Sequence, residues 1–304
     1  MNPLLRILPR NAQRLLLLRH VRFERPKLEG LHIYMAESEA DLRGAMGLVH
    51  DVYAAKGIIK QQKGGLHLTK HNVLPSAFVF VAKEKASGRI VGTTTLIRDE
   101  AMLGLPMDAT HREELDGFRA RGASFAEFVS TACDEEYRGS GLIFYLYRLA
   151  LHTAISAGIQ TMVMRVHPKA VPLYEELLVC ERLGGERFDP ALNNKPAAGL
   201  RVDISTVAGR LIERFGTNAS ERNPYHIFFG PPMANMTVPT DFMVSAERLS
   251  ASAALVKTRP DLFSTLPRPE RQYFRQVLPN VLWPALSSMY IRSARPVPLS
   301  ESSA

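Results

Sequence analysis

Residues 124–141 read SFAEFVSTACDEEYRGSG, and the fold turns on this stretch. It opens with the alternation of a strand. Phe125, Glu127 and Val129 fall on one face, and Ala126, Phe128 and Ser130 on the other. Acid gathers at 134–136, after which Arg138-Gly139-Ser140-Gly141 runs straight into an apolar helical stretch. A strand that ends in a glycine turn opening a helix presents free backbone N–H groups and the positive end of the helix dipole. Those are the parts that hold a phosphate. Glu127, upstream on the strand, is placed to act as general base on a molecule tethered through that phosphate. The plainer reading is a common glycine–serine turn and a solvated glutamate.

Working outward, strands and helices alternate through 31–207. Residues 31–35 read as a first strand, and Ser38 caps a helix carrying Leu42, Met46, Val49 and Val52 at helical spacing. Residues 77–82 and 90–97 form two strands joined by a turn at Gly88, and 113–121 reads as a charged helix. Beyond the glycine turn, Leu142, Tyr145, Leu146 and Leu149 mark a buried helix that Gly158 ends. A strand at 162–166, a helix over 171–183 bearing Tyr174, and a last strand at 199–206 complete the pattern. The expectation is an α/β domain at 31–207 with a mixed central sheet flanked by helices. A basic arm at 1–30 precedes it. A largely helical extension at 208–304 follows, with helices near 246–257 and 269–277.

The chain has 304 residues, 46% hydrophobic and 22% charged, which is ordinary for a folded protein with ample core. A net charge of +8 favours an acidic partner: nucleic acid, an anionic membrane or an acidic carrier protein. Only Cys133 and Cys180 occur, so neither a disulfide framework nor a zinc spacing is present, and a reducing cytoplasm fits. Cys133 reads as a small core residue. No stretch approaches the roughly eighteen apolar residues of a membrane span, and the start does not read as a signal peptide. In the arm, Arg6, Arg10, Arg14, Arg19, Arg22, Arg25 and Lys27 face only Glu24 and Glu29. It reads either as a cationic helix on anionic lipid, making the protein membrane-peripheral, or as a segment packed on its own domain. No aromatic-interleaved basic patch or nucleic-acid motif occurs.

The order of strand, R-G-x-G turn, long helix, strand and tyrosine-bearing helix resembles the GNAT acyltransferase superfamily. Its phosphate loop has the form R/Q-x-x-G-x-G/A. Here Arg138 and Gly141 match, while Ile143 replaces the final small residue, which argues against ordinary acetyl-CoA binding. A closer resemblance over 31–206 is to the long-chain N-acyl amino acid synthases, relatives of the acyl-homoserine-lactone synthases. It rests on LVHDVY at 48–53 with Gly57, IVG at 90–92 followed by Asp99, and GLPMD at 104–108. EEL at 113–115 with Phe118-Arg119, Ala126-Glu127, VHPK at 166–169 and LYE at 173–175 complete it. Ser130 stands where the lactone synthases have an arginine, and Thr95 falls where they have another. Homoserine-lactone chemistry is therefore not expected.

The resemblance implies transfer of a long acyl chain from the phosphopantetheine thioester of acyl carrier protein, or of CoA, to the amine of an amino acid. No resident cofactor or metal is implied. Glu127 would be the base. The backbone N–H groups of Val129, Ser130 and Thr131 would polarise the thioester carbonyl if the strand splays from its neighbour. Arg138, Gly139, Ser140 and Gly141 would hold the pantetheine phosphate. Tyr174 would protonate the departing thiolate, or it is a tyrosine packing helix against sheet. His167 would bind or deprotonate the amino acid, or it simply ends a strand. Tyr53 and Asp99 are substrate candidates on the resemblance alone. Met35, Met46, Phe78, Phe80 and Phe125 either line an acyl tunnel or make ordinary core. Two other readings compete: a CoA-dependent N-acetyltransferase, and a basic non-enzyme that binds membrane or nucleic acid through its arm.

Overall fold

Seven strands join into one sheet in the computed structural model, which describes residues 25–62, 64–239 and 244–277. In chain order the elements begin with α1 (Arg25–Glu29), β1 (Leu31–Met35), α2 (Glu39–Ala55), β2 (Ala77–Glu84), β3 (Ile90–Arg98) and α3 (Asp108–Ala120). Then come β4 (Phe125–Cys133), α4 (Leu142–Ser156), β5 (Thr161–Val166), α5 (Val171–Leu177), β6 (Glu181–Asp189) and β7 (Lys195–Asp203). The described part of the extension carries α6 (Ile204–Phe215), α7 (Pro224–Phe229), α8 (Ala246–Thr258), α9 (Pro260–Ser264) and α10 (Arg268–Val277). The sheet order is β1-β2-β3-β4-β5-β7-β6. Only β4 and β5 run parallel, so the sheet is mixed.

Each sheet face buries its own core. One face carries Phe80, Leu96, Phe128, Met164 and Leu200 against Leu146 and Leu149 of α4, Leu211 of α6 and Phe228 of α7. Gly92 permits the close approach of α4, since a Cβ there would lie 2.8 Å from Leu142 Cδ2. The other face carries Val79, Ile97, Phe125 and Val163 against Leu42 and Met46 of α2, Leu115 and Phe118 of α3, and Val256, Phe263 and Phe274 of the extension. Ser38 caps α2, accepting from Asp41 N at 3.2 Å, as its spacing predicts.

Several boundaries differ from the sequence expectation; the charged helix expected at 113–121 begins at Asp108 and the last strand at Lys195. The helix expected over 171–183 stops at Leu177, and residues 181–189 form strand β6. Its sequence, ERLGGERFD, is polar because β6 is an edge strand, exposed over most of its length. The last strand ends at Asp203, which turns instead to cap α6 by accepting from Ser205 N at 2.9 Å. The extension passes from one face to the other along the opposite edge. Ile33 N donates to Asn235 O at 3.0 Å and Thr237 N to Ile33 O at 2.9 Å, laying 233–237 beside β1. The arm expected at 1–30 lies outside the described residues up to position 24. Its last residues form α1, where Leu28 is fully buried.

Candidate active site

The parallel pair β4–β5 is where the sheet opens. Its pairing runs from Phe125↔Thr161 to Phe128↔Met164 and stops there, although both strands continue. On the other side of β4 the register to β3 jumps from Thr95↔Val129 to Thr93↔Ala132, so one β3 residue faces two of β4. Ser130 sits in this bulge with φ +53, an uncommon conformation for a residue other than glycine. The bulge turns Thr131 to the α4 side, where its Oγ1 lies 2.7 Å from Thr94 Oγ1. Val129, Ser130 and Thr131 are thus brought to the rim of a splayed strand pair, the condition on which their expected role rested.

Three tyrosines converge on the bulge. Tyr147 of α4 and Tyr174 of α5 are joined hydroxyl to hydroxyl at 2.9 Å. Tyr147 also engages the Thr131 side chain. From the opposite face, Tyr53 of α2 reaches the Thr131 backbone. Burial pushes all three phenols above their ordinary range, so each stays protonated near neutral pH. Tyr147 was not singled out in the sequence, since it falls off the stripe of Leu142, Tyr145, Leu146 and Leu149 that marks the buried face of α4. The i, i+3, i+4 stripe gives no hint that its hydroxyl has work.

Behind Tyr147 lies a small apolar cavity of about 40 Å³ between α4, α6, α7 and the sheet. Its walls include Phe128, Leu151, Met162, Met164, Cys180 and Leu211. None of Met35, Met46, Phe78, Phe80 and Phe125 lines it. Phe80 and Phe125 are fully buried core, while Met35 and Phe78 line a separate small pocket beside Arg248. Cys180 is pushed up to about 12 and Cys133 to about 11 by burial, so neither thiol is a nucleophile near neutral pH.

The 138–141 turn leads into α4. Gly139 and Gly141 adopt φ +78 and +87, and their N–H groups have no acceptor among the described residues. Ser140 is buried and spends its Oγ on Tyr137 O at 2.7 Å. It therefore shapes the turn, and its side chain does not offer a phosphate contact. Arg138 is exposed, its guanidinium in a loose 3.2 Å pair with Glu135. Such a pair is weak enough to yield to a phosphate.

Glu127 is wholly buried on the face away from α4, not solvated. Oε2 accepts from Met107 N at 2.7 Å and Oε1 from Arg165 Nε at 3.1 Å. Arg165 is also paired with Asp189, which is fully buried. Burial raises the Glu127 carboxyl above its ordinary range, and the Arg165 guanidinium works against that rise. Arg165 and Asp189 were missed in the sequence. Arg165 lies inside an apolar strand with no marker, and Asp189 lies on the unrecognised β6.

Two expected residues do not join this group. Asp99 is held bidentately by Arg119 at 2.6 and 3.0 Å, and Arg119 also grips Asp108 at 2.7 Å. Since Asp99 N donates to Phe125 O, it lies at the far end of β4, some five strand residues or about 17 Å from the bulge. The Asp99–Arg119–Asp108 clamp adjoins the loop that delivers Met107 N to Glu127. His167 is exposed, and its Nδ1 accepts from Lys169 N at 3.1 Å, capping the turn before α5. It has no recorded contact with the tyrosines or Glu127.

A mixed sheet whose single parallel pair splays at a bulge, with a glycine turn feeding the adjoining helix, is a GNAT-like fold. The chain belongs to a particular family within that class: the family model for N-acyl amino acid synthase FeeM matches residues 44–203, more than half of the chain. Among solved structures it resembles FeeM, an N-acyl amino acid synthase from uncultured soil microbes, at 23% identity and a TM-score of 0.52. That match covers 59% of this chain and 93% of the other. It also resembles BjaI, a CoA-dependent acyl-homoserine lactone synthase, at 15% identity and a TM-score of 0.49, covering 72% and 100%. A search of curated protein sequences finds no match. Among the described residues no helix is long and apolar enough to cross a membrane.

Proposed function

We propose that the protein moves a long acyl chain from the phosphopantetheine thioester of acyl carrier protein to the α-amine of an amino acid. The observation that carries this is the apolar cavity opening behind the tyrosines at the β4–β5 split. Its lining is almost wholly apolar and suits a hydrocarbon.

On this reading the donor lies on the α4 side. Its phosphate meets Arg138 and the N–H groups of Gly139 and Gly141. Its carbonyl meets the N–H groups of the bulge, and its chain runs into the cavity. The acceptor occupies the opposite, polar side, near Tyr53, Arg165 and Glu127. As the amine nitrogen bonds to the carbonyl carbon, its proton passes to Glu127, directly or through a water. The C–S bond then breaks, and the thiolate takes a proton from Tyr174. The net charge of +8 supports an acidic carrier as the donor's bearer. The basic arm would add peripheral contact with anionic lipid.

The test is to incubate the protein with long-chain acyl carrier protein and all twenty amino acids and analyse the products by mass spectrometry. A dominant N-acyl amino acid is expected. Transfer from acetyl-CoA alone would replace this reading with a conventional acetyltransferase.

A further inference from the structure

Tyr147 belongs to two structures at once. Its ring is a wall of the apolar cavity, packed edge-on against Phe128 with centroids 5.0 Å apart. Its hydroxyl lies 2.9 Å from that of Tyr174, the group placed to protonate the leaving thiolate. The two rings approach at a centroid distance of 6.4 Å. A ring bordering empty space lacks contacts on that side and forfeits their dispersion attraction. A hydrocarbon filling the cavity restores those contacts and fixes the ring. Once Tyr174 gives up its proton, the Tyr147 O–H can only donate to the phenolate left behind, and a buried phenolate without a donor is costly.

We propose that Tyr147 is a positioning residue that couples acyl-chain occupancy to the leaving-group acid. A long chain in the cavity holds the Tyr147 ring where its hydroxyl meets Tyr174, and a short chain leaves it loose. Acyl length is then read in the chemical step and not only in binding. This inference rests on the acyl-transfer reading above.

The kinetic test compares an acetyl and a long-chain donor on the same carrier in wild type and Tyr147→Phe, which keeps the ring and the cavity. The variant should lose about tenfold in kcat with the long-chain donor, the effect of one lost buried hydrogen bond, and under about twofold with the acetyl donor. Donor KM should be unchanged. Equal losses with both donors, or a change confined to KM, would overturn the coupling. A second readout needs no turnover. In protein labelled with carbon-13 tyrosine, a non-reactive long-chain S-alkyl pantetheine should shift the Tyr174 resonance, identified by its absence in Tyr174→Phe. S-ethyl pantetheine should not shift it, and Tyr147→Phe should abolish the response. An equal shift in Tyr147→Phe, an equal shift with the short thioether, or none in wild type would each refute the proposal. Wild type that transfers to no amine yet shows the length-dependent shift would refute the function and leave the coupling standing.

Discussion

Arg165 lies between two buried carboxyl groups, those of Glu127 and Asp189. Removing the guanidinium would leave two buried carboxylates without a cation. Arg165→Met is therefore expected to destabilise the fold by about 3–5 kcal/mol in urea unfolding. Glu127→Gln keeps the shape and a partner for Met107 N, so its stability cost should be much smaller. If Glu127 is the base, that variant loses at least about 100-fold in kcat while remaining folded. Turnover close to wild type would remove Glu127 from the chemistry. His67, whose ring lies 5.8 Å from that of Tyr53, gives a pH signature. Burial holds its imidazole down to about 4, and His71 likewise. The unfolded chain accepts these protons near 6.5 and the folded protein refuses them. The stability they confer is therefore full above about pH 6.5 and is lost as pH falls toward about 4. His67→Gln should make that fall shallower in urea unfolding followed across this range.

The bulge in β4 is the element on which the site depends, and Ser130 holds it in left-handed backbone. Ser130→Gly should preserve the bulge and stabilise the protein by up to about 1–2 kcal/mol by relieving that conformation. Ser130→Val should cost about 1–3 kcal/mol and reduce kcat, because a β-branched residue resists the backbone the carbonyl site needs. Both are read by chemical denaturation and initial rates. The sequence shows why this element was only partly legible. Alternation along 124–130 identified the strand and put Glu127 on the correct face, and the glycines marked the turn. Nothing in FVSTAC announces that the register slips at Ser130, since the slip is set by pairing to β3. β6 escaped for a related reason. An edge strand exposed to water needs no apolar alternation, so ERLGGERFD carries little strand signal, and Asp189 was missed with it. Arg165 and Tyr147 stayed hidden because their value lies in partners distant in sequence.

Across the whole molecule, the extension acts as a belt. It crosses the β1 edge at 233–237 and then covers the second core with α8 to α10. There Arg248 is buried and donates to Asn72 O at 3.0 Å, and Lys70 pairs with Glu270 at 2.8 Å. Truncation after Pro239 would expose the face that Leu255, Val256, Phe263 and Phe274 cover. A lower melting temperature and binding of a hydrophobic dye are expected. A truncated chain that melts as wild type would show the belt to be dispensable. Overall charge makes a separate prediction: transfer from acyl carrier protein should weaken steeply with salt while transfer from a small thioester does not. Parallel salt curves would exclude charge-steered docking. The central claim is that the acyl chain enters the β4–β5 split and lies in the cavity behind Tyr147. It is tested most directly with a long-chain S-alkyl pantetheine carrying a terminal diazirine, photolysed on the protein and mapped by peptide mass spectrometry. Adducts on Leu151, Met162, Cys180 or Leu211 are the predicted result. Adducts on the other face of the sheet, at Met46 or Phe125, would contradict it.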